Sequence, residues 1–280
     1  MLRGLLVLSR TTGAASVWRT LGLVLAIAVV LISGVGCSVR RIHEAQEAFN
    51  RGSLAELQAP DRSAAGAWSP LVPSGSPAAA EYQLSLMLVE RELRENAGAL
   101  EEDGLYGNAL VLKALCLWRL GDLDELPVGR ANYEAELDKA IGAIAKLPPD
   151  KLGTRDRVLS NALPGLRDHD RGLRQTSYPE AMNNFKSAIE KLDIALQDQN
   201  LPEGHSIRAY IHLAQLRTCR VWLEFAGQEE SGTNKNLVAA PNAKYDEIII
   251  NLRPLWQGDK RLYKFVCGLA AGMGRNDPPF

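Results

Sequence analysis

Residues 177–196 read SYPEAMNNFKSAIEKLDIAL, and this stretch decides the fold class. Ala181, Phe185, Ala188, Ile189, Leu192 and Ala195 recur every three or four residues, which gathers them on one side of a helix. Asn183, Asn184, Lys186, Lys191 and Asp193 fall on the other side. Ser177 and Glu180 form a capping box, in which a hydroxyl takes an orphan amide and a carboxylate three residues on returns the bond. The pattern predicts an amphipathic helix that buries a face of small and aromatic residues.

The same period returns on both sides of that stretch. Over 206–225 it runs through Ile207, Tyr210, Ile211, Ala214, Val221, Trp222 and Phe225, and two further helices are expected at 242–256 and 259–270. Even the branched run Ile248-Ile249-Ile250 sits within helical spacing, with Tyr245, Leu252 and Leu255. Toward the N-terminus, 105–120 is apolar nearly all round, which marks a central helix. A helix over 80–99 is expected to turn Leu84, Met87, Leu88 and Arg91 to one face. Another, from 131, carries Leu137, Ala140, Ile141 and Ile144 and stops at Pro148-Pro149, where the backbone bonds cannot continue. Residues 155–173 read as weakly helical, interrupted at Pro164-Gly165. Strand signals are almost absent, so the fold class is all-α.

Ahead of the helices stands an address. Arg3, Arg10 and Arg19 precede an apolar run over 21–32, and Ser33-Gly34-Val35-Gly36 leads into Cys37. A basic region, an apolar core and a zone of small residues describe a secretory signal rather than part of the fold. Cys37 resembles the lipid-modified cysteine of bacterial lipoproteins: Gly36 fits the position before it and Val35 is tolerated, while Gly34 stands where that family has leucine. The resemblance implies lipidation at Cys37 and, for a Gram-negative host, an outer-membrane location facing the periplasm, because Ser38 replaces the aspartate that signals retention. The competing reading is an uncleaved inner-membrane anchor with a periplasmic domain. No charge interrupts residues 20–39, and roughly 20 mostly apolar residues span a bilayer. The organisation that follows is 1–36 signal or anchor, 37–59 a first helix, 60–79 a linker rich in proline and serine, 80–270 a helical-repeat domain and 271–280 a loose tail.

Helix pairs with small residues at their crossings suggest hairpin repeats. Gly121-Asp122-Leu123-Asp124-Glu125 resembles the inter-helix turn of tetratricopeptide repeats, with Ala114 and Ala143 at that family's small positions. Tyr178-Pro179-Glu180-Ala181 with Phe185 and Ala188 is similar to the family's second helix, and Ala45, Ala48 and Gly52-Ser53-Leu54 to its first helix and turn. The resemblance implies antiparallel hairpins stacked side by side around a groove, and polar contact positions at Asn183, Asn184, Lys186, Arg208, His212 and Gln215.

Composition bounds the chemistry. The chain carries a net charge of −1, and loss of the three leader arginines makes the remainder more acidic, a poor balance for nucleic acid. Cys116, Cys219 and Cys267 lie in apolar helical contexts and read as free buried thiols, with a disulfide between two of them left open. His205, His212 and Asp168-His169-Asp170 read as solvated rather than as metal ligands. Arg155, Arg157, Arg167, Arg171 and Arg174 interleave with Asp156, Asp168 and Asp170 and read as a solvated face, with an acidic partner or lipid headgroup as the alternative. Trp118, Tyr210, Trp222 and Trp256 fall at core positions. No phosphate loop, nucleophile elbow or Cys-His pair appears, so neither catalysis nor a cofactor is expected. The expectation is a tethered envelope module that binds another envelope protein. Its rival is an accessory lipoprotein of a periplasmic solute transport system, with a cavity lined by Met87, Leu112, Trp118 and Trp222.

Overall fold

A computed structural model describes residues 38–55, 77–121, 129–202, 205–229, 236–256 and 260–271. The leader with Cys37, residues 60–76 of the expected linker, the Asp122-Leu123-Asp124-Glu125 turn and residues 272–280 lie outside them. Among the described residues there is no strand. The helices are α1 (38–55), α2 (Pro77–Glu95), α3 (Ala97–Glu102), α4 (Tyr106–Gly121), α5 (Gly129–Ile144), α6 (Thr154–Leu173), α7 (Tyr178–Leu196), α8 (Ser206–Glu229), α9 (Ala239–Trp256) and α10 (Lys260–Ala271).

Side-chain pairs fix how the helices run. Arg41 meets Glu92 and Arg51 meets Glu81, so α1 and α2 are antiparallel. Cys116 donates to Ser85 and Lys113 pairs with Glu90, which makes α4 antiparallel to α2 and hence parallel to α1. Asn108 reaches Asp156, 48 residues on, near the starts of α4 and α6, and Leu117 and Gly121 line a cavity with Arg167 and Asp170 near their ends, so these two are parallel. Helix α7 runs antiparallel to α6, with Gly165 at Ala188 and Gly172 at Phe185, and to α8, with Arg208 at Leu196 and Trp222 beside Tyr178, so α8 joins the row, where His169 reaches Thr218, 49 residues on. Helices α4, α6, α8 and α10 each pack on the next in that row, whereas α5, α7 and α9 pack chiefly on the helices before and after them.

The crossing of α6 and α7 is set by glycine. A Cβ at Gly165 would stand 2.9 Å from the Ala188 carbonyl, and one at Gly172 would run into the Phe185 ring. Both close approaches need a residue without a side chain. This burial explains why α6 continues through Pro164. The proline forfeits one backbone bond, but Val158, Leu159, Ala162, Leu163 and Leu166 are buried on either side of it and hold the helix together. The expected interruption at Pro164-Gly165 is absent.

Two other expectations change. Ser177 does occupy the N-cap of α7, with extended backbone, but its side chain makes no capping bond. In α2, which begins at Pro77 rather than 80, the buried stripe is Tyr82, Leu86 and Val89, and Leu84 and Met87 point outward. The helix carries two apolar stripes, and α1 and α4 cover the one that has the aromatic ring and the small Ala78 and Ser85 beside it.

A buried polar seam as the candidate functional site

The parallel row carries polar groups at matching levels, and these form a seam inside the protein. In α1, Ser53 accepts a hydrogen bond from the Tyr82 hydroxyl of α2 at 3.3 Å. The Arg119 guanidinium of α4, only 1% exposed, lies 5.9 Å from the Tyr82 ring centre and 4.6 Å from that of Trp118. His169 and Asp170 of α6 follow, then Arg217 and Thr218 of α8, all buried. Thr218 donates its one hydroxyl proton to the Ala214 carbonyl at 2.9 Å, so its oxygen accepts from His169 Nδ1 at 2.9 Å. That places a proton on Nδ1 of the imidazole.

The surroundings keep it neutral. Burial, followed by the charges of Arg217 and Arg119, pushes the His169 imidazole down to about 3. Burial likewise pushes the thiols of Cys116 and Cys219 up to about 12. Such groups are poor proton shuttles and poor nucleophiles near neutrality. The contacts of the seam are hydrogen bonds between helices and a guanidinium over aromatic rings.

The arginine run of α6 differs from the solvated face expected of it. Arg167 donates to Asp138, Arg171 to Glu134 and Asp138, each at 3.0 Å, and Arg174 to Glu134. The acidic partner is α5 of the same chain. Arg157 pairs with Asp198 at 2.8 Å. Asp168 is buried, which alone would raise its carboxyl, but bonds from Lys191 and Ser187 and the charge of Arg167 outweigh burial and hold it below the ordinary carboxylate range.

The six polar positions expected to meet a partner do not share a surface. Asn183 and Lys186 of α7 are exposed, and Asn184 is half-buried with its amide donating to the Glu180 carbonyl. Arg208 closes the turn between α7 and α8, donating to the carbonyls of Leu196, Leu201 and Pro202. His212 and Gln215 are buried in a chain that links three helices: His212 donates to Gln215, Gln215 to Asp193 at 2.7 Å, and Lys244 of α9 to Asp193 at 2.8 Å. Burial lowers the His212 imidazole, and the bond to Gln215 offsets this only in part. None of these histidines is solvated as expected, for His205 too is half-buried and accepts from the Ile207 amide.

Cys116 and Cys219 are free and buried, and Cys267 is free and half-buried. No group of three His, Cys, Asp or Glu side chains suited to a metal occurs among the described residues. The four residues expected to line a solute cavity are dispersed: Met87 is 59% exposed, Leu112 and Trp118 belong to the large core that runs from α1 to α8, and Trp222 packs with Tyr178 and Phe185 in a separate cluster. Trp118 also meets Tyr210 of α8 edge-on, ring centres 6.1 Å apart, so α4 and α8 touch across α6 at this level. A cavity beside the seam, between Leu117, Tyr133, Leu137, Asp170 and Arg174, measures about 10 Å³, room for about one water molecule.

Sequence reasoning passed over Arg119, Arg217 and Thr218. The signal was present: Arg119 is the charge within Leu115-Cys116-Leu117-Trp118-Arg119-Leu120, and a charge in a helix apolar on all sides must find partners inside. Protein-family models, curated protein sequences and solved structures offer no match to this chain.

Proposed function

We propose that this chain is an exported module of a bacterial cell envelope, tethered by its N-terminus, that binds another envelope protein and is not an enzyme. The helix pairs α4–α5, α6–α7 and α8–α9 serve as degenerate tetratricopeptide-like repeats. Two of the three sequence matches fall within these pairs, on α4 and α7, and the third lies on α1 ahead of them. The two first-helix matches fall on α1 and α4 of the parallel row, and the second-helix match falls on α7 outside it. Hairpins of this kind bury their apolar faces on one another and leave the outer sides for partners.

The observation that carries the interaction reading is a pair of exposed isoleucines. Ile194 on α7 is 60% exposed and Ile250 on α9 is 66% exposed, and the Asp193–Lys244 pair ties these two helices together. Asn183 and Lys186 lie on α7 as accessible polar positions. These exposed side chains support a partner-facing surface on α7 and α9. The dispersal of Met87, Leu112, Trp118 and Trp222 disfavours the solute-carrier reading.

Two measurements test the proposal. Intact mass of the chain expressed with its leader, beside a Cys37→Ser control, reports the tether: a mass starting at residue 37 plus acyl chains establishes lipidation, and an unmodified full-length mass in both makes 20–39 a membrane anchor. A soluble, cleaved and unmodified product would overturn the tether altogether. Photo-crosslinkers at Ile194 and Ile250 in living cells should capture one envelope protein, and crosslinking no greater than at the exposed control position Arg40 would remove the interaction reading.

A further inference from the structure

The outward stripe of α2 consists of Ala80, Leu84, Met87, Arg91 and Arg94, spaced three or four residues apart and all exposed, with Leu88 half-buried at its border. Leu84 and Met87 are among the few large apolar side chains that the described residues expose, as is Val39 on the neighbouring helix α1. The stripe is apolar at one end and basic at the other. Arg91 and Arg94 both pair with Glu95, at 2.9 and 3.4 Å, and still leave more than half of each side chain in solvent.

The position of this stripe relative to the tether is what identifies its occupant. In the sequence, only residues 33–37 separate the apolar run ending at Ile32 from Ser38, which is already helical. Five residues span at most about 18 Å when fully extended. The first turn of α1 therefore stands close to the bilayer under either form of the tether. Arg41 in that turn bonds Glu92 at 2.6 Å, which puts the basic end of the α2 stripe beside it. From Glu92 to Leu84 the helix advances only about 12 Å.

We infer that the outward stripe of α2 rests on the lipid surface, with Leu84 and Met87 at the level of the acyl boundary and Arg91 and Arg94 among the headgroup phosphates. This rests on the tether proposed above. The physics is that of an interfacial amphipathic helix: buried apolar area gives affinity, basic side chains add attraction to anionic headgroups, and the anchor supplies a high local concentration. The outcome is an orientation. The domain lies with its α1–α2 end down and carries α7 and α9, with Ile194 and Ile250, away from the bilayer.

The test uses the full chain purified from membranes and reconstituted into vesicles of phosphatidylcholine and phosphatidylglycerol. Nitroxide labels go on Met87→Cys and, separately, on Ile250→Cys, with the parent chain as background for its own cysteines and circular dichroism as a check on folding. The label at residue 87 should show several-fold lower collision with a water-soluble nickel chelate, and higher collision with oxygen, than the label at 250. A co-floating protein whose two labels are equally open to the chelate overturns the lipid contact and leaves the tether standing. Failure to co-float overturns both. Shielding of residue 87 in native membranes but not in pure lipid overturns the lipid contact in favour of a protein partner at this stripe.

Discussion

Arginines do different work in two regions of this molecule. At the α5–α6 surface, Arg167, Arg171 and Arg174 face Glu134 and Asp138, and every partner keeps a fifth or more of its side chain in solvent. In the seam, Arg119 and Arg217 are buried among α4, α6 and α8. Water screens the first set and shares its hydrogen bonds, so each pair contributes little. In the second set the desolvation cost of each charge is met only by partners already in place, so removing one member strands the rest. The pairs at the surface can be lost singly, whereas the seam stands or falls as a unit.

The largest expected effect breaks the seam. Arg119→Ala should lower stability by about 3–5 kcal/mol, the range for removing one side of a buried charge arrangement, read from the midpoint of urea unfolding. Arg119→Met, which restores volume without charge, should cost no less if the neighbouring polar groups depend on the guanidinium. A loss under about 1 kcal/mol for the alanine variant would mean that the seam behaves like the surface and would erase the contrast.

The next effect, smaller at any single step of one pH unit, sharpens it through pH. His169 titrates near 6.5 in an unfolded chain and at about 3 in the folded one. Above 6.5 both forms are neutral and nothing changes. As pH falls below 6.5 the unfolded chain takes up a proton that the folded one refuses, so stability drops by up to about 1.4 kcal/mol per pH unit until about 3. His212, also lowered by burial, adds to the same slope. Comparing parent with His169→Asn in urea unfolding at stepped pH isolates the one imidazole; parallel curves would show that it is not held neutral.

The smallest effect belongs to the half-buried arginines paired with α5. Arg171→Ala should cost about 0.2–1 kcal/mol at low salt and less in molar salt, where the screening length falls to about 3 Å. A salt-independent loss above that range would place Arg171 with the buried set.

Much of the fold is legible in the sequence because helical period survives any tertiary context. Ala181, Phe185, Ala188, Ile189, Leu192 and Ala195 are all buried in α7, as their spacing requires. What period cannot decide is which of two stripes meets a neighbour. In α2 both Tyr82-Leu86-Val89 and Leu84-Met87 satisfy it, and only the shapes of α1 and α4 choose between them. The break expected at Pro164 fails for a related reason: a local cost of one hydrogen bond is small beside the burial around it. The arginines of α6 looked solvated because their acids interleave along the chain, whereas their strongest partners stand on α5, Glu134 as far as 40 residues upstream of Arg174. For the candidate site, residue type was readable at Arg119 and partner identity was not, since the offset of 49 residues between His169 and Thr218 becomes visible only once the helices run parallel.

That offset also sets an order of events during synthesis. The chain emerges from its N-terminus, so α4 and α6 leave the ribosome, or enter a new compartment, before α8 exists to meet them. His169 must wait 49 residues for Thr218, and until then the interior side of the row is wet and unpaired. A chain stopped anywhere before α8 would leave Arg119 and His169 without the helix that buries them. Completion of α8, the fourth helix of the row, is thus the point at which the seam can close.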